Sequence, residues 1–264
     1  MKDTMSNPAA DTYLSQGDLD SARATLVAAV KQNPSDTQAR MFLFQLMAVM
    51  GEWDKADAQL RALASVTPEA QMLAAAYSPL LQAAKMRAAA FSGEGSVPLL
   101  FPGPAWLSDL AASIDAFAKG DVAQGESLRD QAFDQVGDLA GRWNDKAFQW
   151  ICDVDSRFGP AFEAVIAGRW GLIAFEAVRE IKSEGPLDLK DSVWLPVEMT
   201  LKSGEAFSGF LLVLYPLSER AASPLRLGRQ TQWQENGSGL GQKVYGFDTG
   251  EEVDLLSLRH LVMD

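Results

Sequence analysis

Small and apolar residues recur at a fixed interval along the N-terminal part of the chain. The recurring positions are a turn glycine, a small packing residue, an apolar residue and a closing proline. They are Gly17, Ala22, Leu26 and Pro34, which return 34 residues later as Gly51, Ala56, Leu60 and Pro68. A fixed interval of this length is typical of a repeated pair of helices that can bury its apolar face only against its neighbours. The pattern therefore predicts a stack of helical hairpins.

The interval and the residue types in phase are those of the tetratricopeptide repeat. A third, weaker unit follows, in which Gly120 takes the turn position, Ala132 a packing position and Gly137 the place of the closing proline. Arg129 stands where an apolar residue is expected. Between the second and third units, residues 67–91 are rich in alanine and predict a helix, broken or kinked near Pro79 because proline lacks an amide donor.

Beyond about residue 145 the apolar positions alternate with a period of two, which is typical of strands. Residues 193–215 predict a β-hairpin with its turn at 202–205. Further short strands are predicted within 171–184, 228–235, 243–256 and 258–263, and residues 161–169 are a candidate for one short helix. We therefore predict a tetratricopeptide-like helical repeat domain over residues 1–145. An α+β, mostly antiparallel β domain, barrel-like or a curled sheet, is predicted over residues 146–264.

Charge and cysteine content narrow the classes of partner. The net charge of −12 disfavours binding to nucleic acid or to anionic lipid, because both would repel the chain. The single cysteine, Cys152, precludes an intramolecular disulfide, which fits a reducing compartment. The N-terminus lacks the apolar segment of a secretory signal, and no apolar run approaches the roughly 20 residues that span a bilayer. The sequence predicts a cytoplasmic protein.

The sharpest candidate for chemistry is the run Asp153, Asp155 and Arg157, which follows an apolar tripeptide. An Asp-x-Asp pair after a buried strand supplies the nucleophile and the general acid of some phosphotransferases, but those enzymes need successive βαβ units, which this sequence does not predict. A calcium loop would need oxygen ligands where Arg157 and Ala164 stand. We expect an ion-pair and turn network at the domain junction, with no metal and no cofactor.

Three other features are weaker candidates for chemistry. His260 is the only histidine and has no nucleophile motif beside it. Cys152 follows Trp150 and Ile151 and precedes two carboxylates, which favours an inert thiol. The glycine-rich residues 237–242 lack the trailing Lys and Ser/Thr of a phosphate loop, so a flexible turn is expected there.

A surface for partner binding is expected on the repeats. Stacked helical hairpins curve into a groove that accepts an extended peptide or an amphipathic helix. In the first helix of the second repeat, residues 40, 43, 44 and 47 are taken as core-facing. The groove side of this helix then carries Met41, Gln45, Ala48 and Val49. Because repeat packing also uses apolar residues, the same four positions could equally be core.

The order of motifs along almost the whole chain resembles the ImpE family, also called TagJ or SciE. The resemblance is carried by PAWL at 104–107, FQWICDVDSRFGPAFEAVIAGRW at 148–170, DLKDSVWLPVEMTL at 188–201, GFLLVLYP at 209–216, LRLGRQTQW at 225–233 and GLGQ at 239–242. It implies a non-enzymatic accessory component of a bacterial type VI secretion system. It further implies binding to the N-terminal helix of the small contractile-sheath subunit and coupling to the AAA+ unfoldase ClpV. An Asp-dependent phosphotransferase using Asp153 and Asp155, and a general peptide-binding scaffold, are the alternatives.

Overall fold

The N-terminal part of the protein is a stack of helical hairpins. The computed structural model describes residues 7–66 and 68–264. In the described part of this region the helices are α1 Pro8–Gln16, α2 Leu19–Gln32, α3 Thr37–Val49, α4 Trp53–Ala64, α5 Pro68–Phe91, α6 Ala105–Ala118 and α7 Val122–Phe133. Helices α1 and α2, α3 and α4, and α6 and α7 pair as consecutive hairpins. A helical hairpin is therefore present at each of the three predicted units, and α5 separates the third from the second.

The three hairpins turn in the same way because each has a glycine in the left-handed backbone region. The φ angles are +79° at Gly17, +72° at Gly51 and +82° at Gly120, where a side chain would be strained. In the first and third hairpins the next residue caps the second helix. The Asp18 carboxylate accepts a hydrogen bond from the Ser21 amide, and Asp121 accepts one from Gln124.

Helix α5 is continuous through Pro79, so of the two expected alternatives, a break or a kink, the break is wrong. It runs continuously for 24 residues with Pro79 inside it. Tyr77, Leu80 and Leu81 are all buried beside the proline. Packing on both sides of the proline stabilises the helix and compensates for the backbone hydrogen bond that proline cannot make.

The C-terminal part is built on an open antiparallel sheet. Its strands are β1 Gly141–Trp143, β2 Lys146–Phe148, β3 Ile151–Asp153, β4 Ala161–Ile166, β5 Arg169–Ala174, β6 Val178–Lys182, β7 Trp194–Leu201, β8 Ala206–Leu212, β9 Thr231–Trp233, β10 Gly239–Gly241, β11 Val244–Phe247, β12 Glu252–Asp254 and β13 His260–Met263. Eight of them form one sheet in the order β2-β1-β13-β6-β7-β8-β4-β5. Strands β12-β11-β3 and β10-β9 form two smaller sheets. Since β2 and β5 remain edges, the large sheet does not close into a barrel.

Most of the predicted strands are present, with three corrections. The hairpin of β7 and β8 turns at the predicted residues. Residues 161–166, a candidate helix, form strand β4, and all six are buried because both faces of the sheet are covered. Residues 237–242 are not a free turn, since they contain β10, which pairs with β9. The large sheet already includes residues 141–143, before the predicted domain boundary.

The helical stack packs directly on the sheet, so that one hydrophobic core serves both. Tyr77 of α5 contacts Trp194 and Phe210, with ring centroids 6.3 and 5.5 Å apart. Farther along the same helix, Phe91 contacts Phe158 and Trp170 at 5.8 and 6.2 Å. Helix α5 is therefore the main element that joins the helical repeats to the sheet.

Candidate functional site

The face of α3 that was expected to form an open groove is covered by the C-terminal domain. Gln45, Ala48 and Val49 are only 3%, 2% and 1% exposed, and Met41 is half-buried against the core. A 3-10 turn, Leu189–Ser192, lies on this face, and the Gln45 side-chain oxygen accepts a hydrogen bond from the Lys190 amide at 3.2 Å.

A small cavity lies beside these residues. It measures about 40 Å³ and is lined partly by Ala48 and Val49. Such a volume holds water but not a helix. The expectation of an accessible groove is therefore wrong at Gln45, Ala48 and Val49, because the chain fills that face with its own C-terminal domain; Met41 stays partly exposed.

The acidic run after β3 lies at the junction of the two domains. Asp155 accepts from Arg157, with Nη2 to Oδ2 at 2.6 Å and Nε to Oδ1 at 2.9 Å. Its Oδ2 also accepts from the backbone amide of Gly239 at 2.8 Å, which ties it to β10. The Arg157 guanidinium lies over the Phe91 ring of α5, 5.8 Å from its centroid. The structure thus brings Asp155 and Arg157 together against the helical domain.

Asp153 is paired with a lysine that sequence reasoning missed. Lys243 is 1% exposed, and its Nζ lies 3.0 Å from Asp153 Oδ2 and 3.7 Å from Glu163 Oε2. The same ammonium lies 3.4 Å from the centroid of the Phe158 ring. The Tyr215 hydroxyl donates to Asp153 Oδ1 at 2.7 Å. A separation of 90 residues between Lys243 and Asp153 leaves no local signal for this pair.

A second ion pair connects the domains through Glu163. Arg87 of α5 donates from Nη2 to Glu163 Oε2 at 2.7 Å, and the same guanidinium donates to the Leu214 carbonyl at 2.8 Å. The Trp170 indole donates to Glu163 Oε1 at 2.8 Å. Each oxygen of this fully buried carboxylate therefore has a partner, one of which comes from the helical repeats.

Burial and neighbouring charges change the acidity of this cluster. Burial, reinforced by the Asp155 charge, raises the pKa of Asp153 to about 6, although Lys243 opposes the shift. Burial also acts to raise the pKa of Glu163, but Arg87, Lys243 and the Trp170 hydrogen bond together hold it below its usual value. Burial and the nearby Asp153 raise the pKa of Tyr215.

The geometry excludes the alternative of phosphotransferase chemistry at Asp153 and Asp155. Both carboxylates are buried, at 1% and 0% exposure, and each is held by a cation and by other donors. Strand β3 pairs with β11 in an antiparallel sheet, whereas this chemistry needs successive parallel strands. The phosphotransferase hypothesis is therefore wrong.

The remaining candidates occupy structural settings. Burial, and then the charge of Asp153, raises the pKa of the Cys152 thiol to about 12, which makes it a poor nucleophile. His260 contacts Glu180, with Nε2 2.7 Å from Oε1. Within residues 7–66 and 68–264, no group of three or more His, Cys, Asp or Glu side chains is arranged to hold a metal ion. None of the helices described is long and apolar enough to cross a bilayer.

An open cleft lies beside the N-terminal half of α5, between this helix and the sheet. We call it the α5 cleft; its volume is about 750 Å³. The residues that line it come from α5, from β4 and the β4–β5 turn, from strands β7 and β8, and from the end of β6 with the segment that follows it. They are Ala75, Ala76, Pro79, Leu80, Val165, Ala167, Gly168, Lys182, Ser183, Glu184, Gly185, Leu187, Asp191, Pro196, Val197, Glu198, Ser208, Gly209 and Phe210. Sequence reasoning did not find this cleft, because it forms between distant segments.

The rim of the α5 cleft carries exposed apolar and acidic side chains. Leu187 is 65% exposed at one edge. Glu184 and Glu198 are exposed, whereas Asp191 is buried. Asp191 Oδ2 accepts from the amides of Leu187 and Asp188, but its Oδ1 makes no hydrogen bond to the described residues. The Oδ1 atom lies 3.4 Å from Nζ of Lys190.

Comparison with known proteins gives the family. A tetratricopeptide repeat model matches residues 13–77, and the model described as ImpE protein matches residues 145–262. The type VI secretion system accessory component TagJ of Pseudomonas aeruginosa is 37% identical over 256 residues, covering 96% of this chain and 90% of that protein. The crystal structure of protein VPA1032 from Vibrio parahaemolyticus has the same fold, with a TM-score of 0.87, 24% identity and 97% coverage of both chains. The chain therefore belongs to the ImpE family, whose members include the accessory component TagJ.

Proposed function

We propose that this protein is a non-enzymatic, cytoplasmic adaptor of a bacterial type VI secretion system. It binds the N-terminal helix of the small contractile-sheath subunit and thereby modulates how the AAA+ unfoldase ClpV handles that subunit. The observation that carries the proposal is the relationship to TagJ, an accessory component of such a system, over nearly the full length of both chains.

The structure supports a binding role more than a catalytic one. The cluster that is richest in charged groups is sealed between the domains, and its carboxylates are already bonded to Arg87, Arg157 and Lys243. A catalytic acid or base must reach the atom that it protonates or deprotonates, directly or through one water. The α5 cleft, in contrast, is open and largely apolar, which are properties of a surface that holds another chain.

A peptide titration tests the proposal. A fluorescein-labelled peptide with the sequence of the sheath subunit's N-terminal helix is added to the purified protein, and anisotropy is followed. Saturable binding is expected for this peptide, and none for a scrambled peptide of the same composition. Lack of binding at about millimolar concentration, which corresponds to a binding free energy weaker than roughly −4 kcal/mol, would remove the sheath-adaptor proposal.

Competition separates a dedicated adaptor from a general peptide-binding scaffold. An adaptor has contacts matched to one helix, so unrelated amphipathic helices of equal length should displace the labelled peptide only at much higher concentration. Equal displacement by all of them would support the scaffold instead. Either outcome is consistent with a binding role; selective displacement identifies one matched ligand, and equal displacement identifies none.

A further inference from the structure

We propose that residues 184–192, between β6 and β7, form a lid that can leave the helical repeats while both domains stay folded. The lid covers the face of α3 that repeat proteins use for ligands, so it acts as an intramolecular ligand that the partner displaces. The displacement rests on the proposed function, which names the partner, whereas the motion of the lid does not.

The lid holds its own structure through contacts within itself. Asp188 and Asp191 cap the 3-10 turn Leu189–Ser192 reciprocally, since each side chain accepts a hydrogen bond from the amide of the other residue. Asp191 Oδ2 also accepts from the Leu187 amide at 2.9 Å, and the Lys190 ammonium pairs with Asp188. These contacts use no group from the helices, so release does not break them. Asp191 Oδ1, which is buried without a hydrogen bond, would then gain one from water.

Few contacts hold the lid on the repeats. Among the described residues, one hydrogen bond crosses between them, from the Lys190 amide to Gln45 Oε1 at 3.2 Å. The Lys190 ammonium also lies 5.4 Å from the centroid of the Tyr77 ring. Leu189 supplies the apolar contact, at 8% exposure in the core cluster that α3 shares. Release therefore exposes about one leucine and one lysine stem, far less apolar surface than the opening of either domain.

Both ends of the lid are anchored to the sheet, which confines the motion to the lid. Before it, the Ser183 hydroxyl donates to the Pro196 carbonyl at 3.0 Å. After it, the Val193 carbonyl accepts from the Val213 amide at 3.0 Å. Gly185, near the first end, has a φ angle of +80°, a region that glycine enters without strain. The backbone can therefore rotate at Gly185 while β6 and β7 stay in the sheet.

The contacts of the lid define what a displacing ligand must provide. It needs an apolar side chain in the place of Leu189 and a hydrogen-bond donor for Gln45, which is only 3% exposed. The backbone amides of a helix are already bonded within it, so a helical ligand has to donate from a side chain. The partner segment is therefore an amphipathic helix with a lysine, arginine, asparagine or glutamine beside its apolar face.

Amide exchange of the unmodified protein, followed by NMR, tests the motion. The Lys190 amide is buried and bonded to Gln45, and the Val213 amide is buried and bonded to Val193. After correction for intrinsic rates, the Lys190 amide should exchange at least about tenfold faster, because a local opening of the lid exposes it. Equal protection of the two amides would overturn the lid.

Thiol labelling tests the same motion through a side chain. Leu189→Cys, in a Cys152→Ala background, reacts with a thiol reagent only while the lid is open. The matched control is Leu195→Cys on β7, which is also buried. Labelling of Leu189→Cys should change little in dilute urea, whereas labelling of the control should rise steeply, because its exposure requires the sheet to open. An equal urea dependence would contradict a local motion.

The single hydrogen bond to α3 has a variant of its own. Gln45→Leu leaves the Lys190 amide unpaired in the closed state, so labelling of Leu189→Cys should accelerate about tenfold. Gln59→Leu is the matched control, since the Gln59 side chain accepts from Arg40 at 2.9 Å, away from the lid, and should change the rate by less than about twofold. Equal acceleration by both variants, or by neither, would overturn the role of Gln45.

The sheath peptide tests whether the partner displaces the lid. Saturating peptide should accelerate labelling of Leu189→Cys about tenfold or more and leave Leu195→Cys unchanged, because binding shifts the population to the open state. Unchanged or slower labelling with the peptide bound would overturn the displacement. If the sheath peptide does not bind, the proposed function fails, whereas the rates measured without peptide still decide whether the lid moves.

Discussion

At the scale of single residues, the junction between the domains shows how buried charges are kept neutral as a group. It contains three carboxylates and three cations. They are Asp153, Asp155, Glu163, Arg87, Arg157 and Lys243. Removing one partner of a buried pair costs about 3–5 kcal/mol, because it leaves an uncompensated charge away from water. The cluster is therefore sensitive to any single substitution that changes its charge.

The titration of Asp153 should lower the free energy of unfolding of the protein as the pH rises. Its pKa is raised from the usual 3.8 to about 6 in the folded protein, so the folded state binds more protons than the unfolded state between these values. The stabilisation from its protonation is fully present below pH 3.8 and is lost as the pH rises through about 6. Asn does not titrate, so Asp153→Asn removes the pH-dependent contribution of this side chain to the free energy of unfolding.

Urea unfolding at a series of pH values measures the effect of Asp153. The free energy of unfolding of the wild type, relative to that of Asp153→Asn, should decrease from pH 4 to pH 7. Lys243 keeps Glu163 as a partner in the variant, at 3.7 Å, so the variant is expected to fold. Parallel pH profiles for the two proteins would contradict the assignment of this titration to Asp153.

The residues of the junction were only partly predictable. Asp155 and Arg157 are two positions apart, so a turn can bring them together, and the expected network included both. Glu163, Lys243 and Arg87 had no such signal. Glu163 lies within the run expected to be a helix, and Arg87 belongs to the helical domain. Their meeting depends on how the sheet packs on α5, which no local pattern encodes.

At the scale of elements, the turn glycines offer a comparison between backbone strain and crowding. Gly51 and Gly120 both have left-handed φ angles, at +72° and +82°. A Cβ atom at Gly51 would lie 2.6 Å from Cβ of Glu219 in the C-terminal domain, whereas one at Gly120 meets nothing within 4 Å. The turn at Gly51 is thus part of the interface between the domains, whereas the turn at Gly120 lies outside it.

Alanine at these two glycines should therefore have unequal effects. Gly120→Ala should lower the free energy of unfolding by about 1–2 kcal/mol, the usual cost of the left-handed region for a residue with a Cβ atom. Gly51→Ala should cost more, because Glu219 must also move. Chemical denaturation of the two variants beside the wild type measures both. Equal losses would show that the contact with Glu219 relaxes without cost.

The elements themselves were largely predictable from periodicity. The 34-residue interval located the hairpins, and alternation located the hairpin of β7 and β8. The prediction failed where both faces of an element are buried. Residues 161–166 are almost continuously apolar and lack the period of two, so helix and strand could not be separated there. At Pro79 a break was one of the two expected outcomes, and it does not occur because tertiary packing maintains α5 through the proline.

At the scale of the whole molecule, the C-terminal domain occupies the face of the repeats that other repeat proteins leave for ligands. The 3-10 turn Leu189–Ser192 packs on α3, and Arg229 donates to the carbonyls of Leu14 and Ser15 at the end of α1. The sequence predicted both parts but not their arrangement, since three of the four expected groove residues are apolar, and apolar residues can face either a ligand or a second domain. The C-terminal domain therefore covers this face of α3, whereas the α5 cleft remains open.

A shared core predicts that the two parts unfold as one unit. Phe44 of α3, Leu81 of α5 and Trp194 of β7 belong to the same buried cluster. Hydrogen exchange followed by mass spectrometry should therefore give α3 and β7 the same free energy of opening. If α3 exchanged through an opening of much lower free energy while β7 stayed protected, the core would not be a single cooperative unit.

Breaking the ion pair between Arg87 and Glu163 tests whether the two domains open together. Arg87→Met leaves the buried Glu163 carboxylate with Lys243 as its only cation, 3.7 Å away, so the opening free energy should fall by about 3–5 kcal/mol. Because the core is shared, the fall should be equal in α3 and β7. Arg142→Met is the matched control, since Arg142 is exposed on β1 and substitutions at exposed positions usually change stability by at most about 0.5 kcal/mol. A fall confined to one domain would show that Arg87 stabilises that domain alone and does not couple it to the other.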